Sequence, residues 1–181
     1  MSGDKIYMDY SSSLGPIDPQ VYNGKNWVPA MGYLDKVEDL IEKSKHGTLT
    51  EAEFLVFQKL DLAELRGYEM ARDLTVSLLK EWLVRYKFKN WTAHKDGSAV
   101  TSRQKEARAE EIAKLLGSNK LWHSHGRSIG IDTVQGLLKF KIEDYSKDTT
   151  LRPLIRDYND LICEYIVSRG GKAFVHSRVF F

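Results

Sequence analysis

The sequence predicts a helix-rich α/β fold with a few short strands, on three observations. Apolar residues recur at helical spacing through residues 149–168 and 61–87. Two capping boxes, Thr50 with Glu53 and Thr101 with Gln104, mark helix starts. Strict alternation is confined to short runs, at Lys5–Tyr10, Lys139–Glu143 and the end of the chain.

In chain order, Ile6, Met8 and Tyr10 alternate with Lys5, Tyr7 and Asp9, the pattern of a half-buried strand. A lone strand leaves its ladder groups unpaired, yet the next hundred or so residues read mostly as helix. The strand therefore calls for partners that are scarce in this sequence. Ser11–Gln20 follows, with Pro16 and Pro19 fixing φ and removing donors. Each proline also pushes its predecessor toward extended geometry, so this stretch reads as a rigid connector, neither helix nor central strand. Residues 21–30 are loop-like. A first helix spans about Pro29–Lys45, with Met31, Leu34, Val37 and Ile41 on one face, and stops at His46–Gly47. Thr50 opens a second helix to about Lys59. Asp61 caps a third that runs to about Lys87, with Leu65, Met70, Leu74, Leu78, Trp82 and Leu83 as its apolar stripe. That helix is the expected centre of packing, and Gly67 a point of close approach.

Asp96-Gly97 signals a turn. The helix capped by Thr101 runs to Leu116, buries Ala109, Ile112, Ala113 and Leu116, and ends on Gly117, where a left-handed cap favours glycine. Its other face, with Arg103, Lys105, Glu106, Arg108 and Glu110, reads as solvated. Leu121–Gly130 is a loop, Asp132–Leu138 a helical turn or two, and Lys139–Glu143 a short strand. Leu151, Leu154, Ile155, Tyr158, Leu161, Ile162, Tyr165 and Ile166 form the cleanest helical stripe, ended by Gly170-Gly171. Lys172–Phe181 alternates and is a candidate strand, with an apolar terminus that should dock on something.

The bulk composition bounds the function. The 181 residues suit one domain with an appendage: residues 1–145, then 146–181. Lysine and arginine number 27 against 25 acidic residues, a net +2 that does not suggest a nucleic-acid partner. Cys163 is the sole cysteine, so no internal disulfide forms and a cytoplasmic setting is expected. No apolar run approaches the ~20 residues that span a bilayer.

Two segments carry a resemblance. Lys5-Ile6-Tyr7-Met8-Asp9-Tyr10 followed by Ser13-Leu14-Gly15-Pro16-Ile17-Asp18-Pro19-Gln20 resembles a signature of the serine dehydrogenase proteinase family. That family is a branch of the Clp-protease/crotonase superfamily related to signal peptide peptidase A. Trp122-His123-Ser124-His125-Gly126-Arg127-Ser128-Ile129 resembles its second signature. The resemblance implies the C-terminal part of a Clp/crotonase-like fold over residues 1–145. In such families the nucleophilic serine and glycine-rich oxyanion loop precede this strand, so the chain is expected to start just after them.

The implied chemistry is peptide-bond cleavage through an acyl-enzyme, with serine as nucleophile and lysine as base. A lysine acts so only when desolvated, because its free pKa is ~10.4. Lys36 is the candidate base and Lys25, in a Gly-Lys-Asn loop, its rival. Residues 11–30 hold no histidine, which disfavours the histidine–aspartate variant. Ser11, Ser12 and Ser13 read as turn chemistry rather than as nucleophiles. Gly15, Pro16, Asp18, Pro19, His123, His125, Gly126 and Arg127 read as structural signature residues. Asp18 is expected to bond amides within its own turn, and Trp122 to be buried. Zinc on His123 and His125 is a weaker reading, for no third ligand lies nearby. No metal or cofactor is expected. The partners implied are a peptide or protein substrate of the intact enzyme, and a second copy or a complementing N-terminal half. Membrane association of the intact protein stays open. The chain alone is expected to be inactive. The alternative is a non-catalytic helical interaction or oligomerisation module, docking through residues 149–168.

Overall fold

The computed structural model describes residues 3–124 and 126–175. It is helix-rich with a few short strands, the coarse class that periodicity indicates. Four strands come first: β1 (Tyr7–Met8), β2 (Ser13–Leu14), β3 (Gln20–Tyr22) and β4 (Trp27–Pro29). The β3–β4 pair is an antiparallel hairpin closed at Asn23–Asn26, with Gly24 at φ +89°, where the sequence suggested plain loop.

Helix α1 (Ala30–Lys45) ends as anticipated. Gly47 takes φ +66°, and the Gly47 and Thr48 amides donate back to the Ser44 and Lys43 carbonyls. Both capping boxes form, at α2 (Glu51–Phe57) and α4 (Ser102–Leu116). Between them lies α3 (Leu62–Trp82), where the Asp61 carboxylate accepts from the Ala63 and Glu64 amides. A π-helical turn, Leu83–Lys87, carries α3 to the boundary expected from its pattern. After α4 come α5 (Asn119–Trp122), β5 (Ile129–Gly130), α6 (Ile131–Gly136), β6 (Glu143–Asp144) and α7 (Leu151–Ser168). Gly170 at φ +62° stops α7, with Gly171 donating to the Ile166 carbonyl.

Three two-stranded sheets form among the described residues. Strand β1 pairs in parallel with β6, Tyr7 opposite Glu143 and Met8 opposite Asp144. Strand β2 pairs antiparallel with β5, Ser13 opposite Gly130 and Leu14 opposite Ile129. The main core gathers Met8 of β1, Leu79 and Leu83, the inner face of α4, and Trp122, Ile129, Val134, Leu138, Phe140 and Ile142. A smaller cluster joins Ala30 and Leu34 of α1 to Tyr68 of α3. Ala109, Ile112, Ala113 and Leu116 are buried as their spacing predicts.

Several sequence expectations are corrected. The first strand is two residues long, because the chain turns at Asp9–Ser12 and Tyr10 points to solvent. Ser13–Leu14, read as connector, is a strand because β5 lies beside it. Around Lys139–Glu143 only Glu143 is strand. Lys139 has φ +48°, although Phe140 and Ile142 are buried as alternation implies. The α3 stripe is a core face only at its ends: Leu83 is buried and Leu65 packs on the smaller cluster, whereas Met70, Leu74, Leu78 and Trp82 are exposed and Tyr68 and Leu79 are buried. Ile41 of α1 is likewise exposed while Leu40 is buried. Nothing lies within 4 Å of a Cβ at Gly67, so it is no close-approach point. Gly117 has φ −85° rather than a left-handed value; a Cβ there would lie 3.2 Å from the Ala113 carbonyl oxygen. Arg108 is not a solvated side chain, for it donates to the Leu138 carbonyl. Residues 172–175 are not strand, and residues 176–181 lie outside the described residues. No described helix is long and apolar enough to cross a membrane.

Candidate functional site

The first signature acts as a clasp between two helix ends. A helix leaves carbonyls unsatisfied at its C-terminus and amides at its N-terminus. The Ile17 amide donates to the Leu116 carbonyl at the end of α4, 2.9 Å away. The Pro19 carbonyl accepts from Ala30, the first residue of α1, and the Asp18 carboxylate accepts from Met31 at 3.0 Å. Asp18 thus caps a helix 13 positions on. It supplies what Pro29, at the N-cap without a side-chain acceptor, cannot. Pro16 and Pro19 hold the clasp extended between these ends. The space at the clasp is only about 10 Å³, lined by Pro16, Ile17, Leu116, Gly117 and Trp122 among others, enough for one water at most. A larger hollow of about 170 Å³ lies on the clasp's other side, lined by Ile17, Pro19, Met31, Val76 and Ala113 among others.

Strand β2, which opens the clasp, pairs with β5, which closes the second signature. The two motifs therefore meet in space. Trp122 is buried, and its indole N–H donates to the Leu115 carbonyl at 2.8 Å. His123 caps α5 in the left-handed conformation, φ 60°. His125 lies outside the described residues. The turn is closed by Ser124, which accepts from the Gly126 amide through its hydroxyl and from the Arg127 amide through its carbonyl. The His123 and Arg127 side chains are exposed and make no hydrogen bond among the described residues. Among the described residues no group of three histidine, cysteine or acidic side chains could hold a metal.

Beside β1 sits a polar cluster that period-two reading missed. Asp9 was placed on the outward face, yet it is 2% exposed. Its Oδ1 accepts from the Ser11 amide (3.0 Å) and from the Ser11 and Ser12 hydroxyls (2.8 Å each). Its Oδ2 accepts from Arg152 Nε of α7 at 3.1 Å. Arg152 also donates to the Tyr10 hydroxyl and lies over the Tyr10 ring, 4.6 Å from its centroid. Ser12 Oγ is 3.3 Å from the Tyr145 hydroxyl. Burial pushes the Asp9 pKa up, but the hydrogen bonds from Ser11, Ser12 and Arg152 outweigh it and hold the carboxyl well below the usual carboxylate range. A carboxylate so stabilised is a poor proton acceptor. The serine–aspartate contacts therefore anchor the turn, and the Arg152 pair ties it to α7. The Asp-Tyr-Ser-Ser run is an Asx-turn signal that sequence alone offers; Arg152, 143 positions away, is not.

The candidate bases lie apart from this cluster. Lys36, on α1, is 59% exposed and ion-paired with Asp39 at 3.1 Å, in an open depression shared with Asp35, Glu38 and Glu42. Asp35, the neighbour of Lys36, accepts from Asn119 Nδ2 of α5 at 3.0 Å, three residues before the second motif begins. Lys25 is exposed at the β3–β4 hairpin tip, its amide bound by the Asn23 side chain. The described residues do not give either ammonium the desolvated setting that base catalysis needs. Gly15 has open space around its Cβ position. No family model, curated protein or solved structure matches the chain.

Proposed function

We propose that the chain is the C-terminal portion of a Clp/crotonase-type serine peptidase, a scaffold whose nucleophile and oxyanion donors come from residues outside it. The observation that carries this reading is the pairing of the two signature segments through β2 and β5, which makes one structural unit of motifs far apart in sequence. The sheets support it: among the described residues each has two strands, leaving edges of the kind that further chain completes. Covering the depression around Lys36 with such chain would provide the desolvation a base requires. Serine chemistry needs a base and oxyanion donors together, and loss of any member of such a set costs several orders of magnitude. The purified chain should therefore hydrolyse a fluorogenic casein no faster than buffer. Turnover that disappears in Ser11→Ala, Ser12→Ala or Ser13→Ala would refute the reading.

One observation favours a second role, as an interaction module. No residue of α7 is buried, and Leu154, Tyr158, Leu161 and Tyr165 present an exposed apolar stripe. Sedimentation velocity of the chain and of a Leu154→Asp, Leu161→Asp variant separates the two. A self-associating parent and a monomeric variant support docking through α7. Identical behaviour of the two excludes it.

A further inference from the structure

A cleft of about 580 Å³ opens on the side of the core formed by the π-helical turn, α4 and the segment between α6 and β6. That size suits a small organic ligand. Its apolar lining is aromatic: Phe88, Trp91 and Phe140 contribute rings, Phe88 and Trp91 meeting edge to face at 5.6 Å. Its polar lining is unbalanced, with five cationic side chains, Lys5, Lys87, Arg108, Lys139 and Lys141, against the two carboxylates of Asp4 and Glu143. Those carboxylates are already engaged. Asp4 pairs with Lys89 at 2.5 Å, and Glu143 is shared by Lys5 at 3.6 Å and Lys141 at 3.8 Å. Arg108 is held by the Leu138 carbonyl and the Glu111 carboxylate.

Two ammonium groups make no ion pair within 4 Å among the described residues, although Lys87 feels the Glu143 and Asp4 carboxylates at longer range. Lys87 ends the π turn; its Nζ lies 5.7 Å from the Phe140 ring centroid and 3.5 Å from the Asp4 carbonyl oxygen. Lys139 takes φ +48°, a backbone region that a lysine occupies only at a cost and that clusters at binding sites. Single π turns likewise favour functional positions. We infer that this cleft binds a small organic phosphate in which a flat ring carries the phosphoryl group, the ring against Phe88, Trp91 and Phe140 and the phosphate between Lys87 and Lys139. Burial lowers the pKa of Lys87, and a bound anion would raise it again. Lys5 of the first signature lines the cleft, but the proposed ring and phosphate contacts use neither signature motif, so the site stands independently of the peptidase reading.

The probe is 1-naphthyl phosphate, titrated by calorimetry against 1-naphthol and inorganic phosphate, which are its two halves. The intact compound is expected to bind at least tenfold tighter than either half. Lys87→Gln with Lys139→Gln is expected to lose at least tenfold for the phosphate ester and nothing for naphthol, with far-UV circular dichroism unchanged. Lys95→Gln, outside the cleft, is expected to bind like the parent. Naphthol binding as tightly as its ester would mean an apolar patch alone, and phosphate doing so would mean an anion contact alone. Either result, or an unchanged affinity in the double variant, overturns the assignment.

Discussion

Replacing Arg152 with methionine removes one partner of the Asp9 pair while keeping most of the side chain's bulk. Asp9 is 2% exposed and the Arg152 side chain 21% exposed, so the carboxylate would be left in a nearly dry site. Breaking a buried pair in this way costs about 3–5 kcal/mol. The lower figure applies here, because Ser11 and Ser12 still bind the carboxylate. Since α7 contributes no buried residue to either core cluster, the loss should fall on its docking rather than on the global fold. About 3 kcal/mol corresponds to roughly a 100-fold rise in the opening equilibrium of α7. Hydrogen exchange read by mass spectrometry over residues 151–168 would show it, while α4 should stay protected.

The pH dependence has a fixed sign. The folded pKa of Asp9 lies below its ordinary value of 3.8, so the unfolded state binds more protons in acid. The stabilisation is complete above that value and is lost as the pH falls through it toward the folded pKa. In the parent, α7 exchange should therefore accelerate below about pH 4, a threshold the Arg152→Met variant should show more weakly. Equal protection of α7 in parent and variant, or loss spread evenly into α4, would refute the latch.

Two further substitutions test the packing. Asp18→Ala should cost about 1 kcal/mol by removing the cap from α1, seen as a lower urea midpoint and faster exchange at residues 31–33. Asp18→Asn should keep most of it, and parental behaviour of the alanine variant would count against the clasp. Ile112→Ala, fully buried on α4, should cost about 2–5 kcal/mol. Leu154→Ala, 60% exposed on α7, should stay within about 0.5 kcal/mol. Similar losses at the two positions would place the core elsewhere.

What the sequence disclosed was local. Capping boxes at Thr50 and Thr101, the Asp61 cap and the glycine stops at 47 and 170 depend on residues a few positions apart, so pattern reading reaches them. The inner face of α4 was legible because one narrow stripe faces one core. On α3 the apolar set was too wide for periodicity to choose a face: the chain buried Tyr68 and Leu79 and left Met70 and Leu74 outside. Long-range partners were invisible. Nothing in the order of residues ties Asp9 to Arg152 or Asp18 to Met31, nor brings Lys87 and Lys139 to one cleft, because each meeting depends on how separate elements pack. The signature segments were found as strings, but their role as a clasp between helix ends emerges only once those ends are placed.

The most direct measurement of whether this chain carries its own attacking hydroxyl is treatment of the purified protein with a fluorophosphonate, followed by intact-mass analysis and peptide mapping. The account predicts an unmodified mass, because Ser11 and Ser12 are held as donors to an acid too weakly basic to activate them. A stoichiometric adduct on Ser11, Ser12 or Ser13 would contradict it.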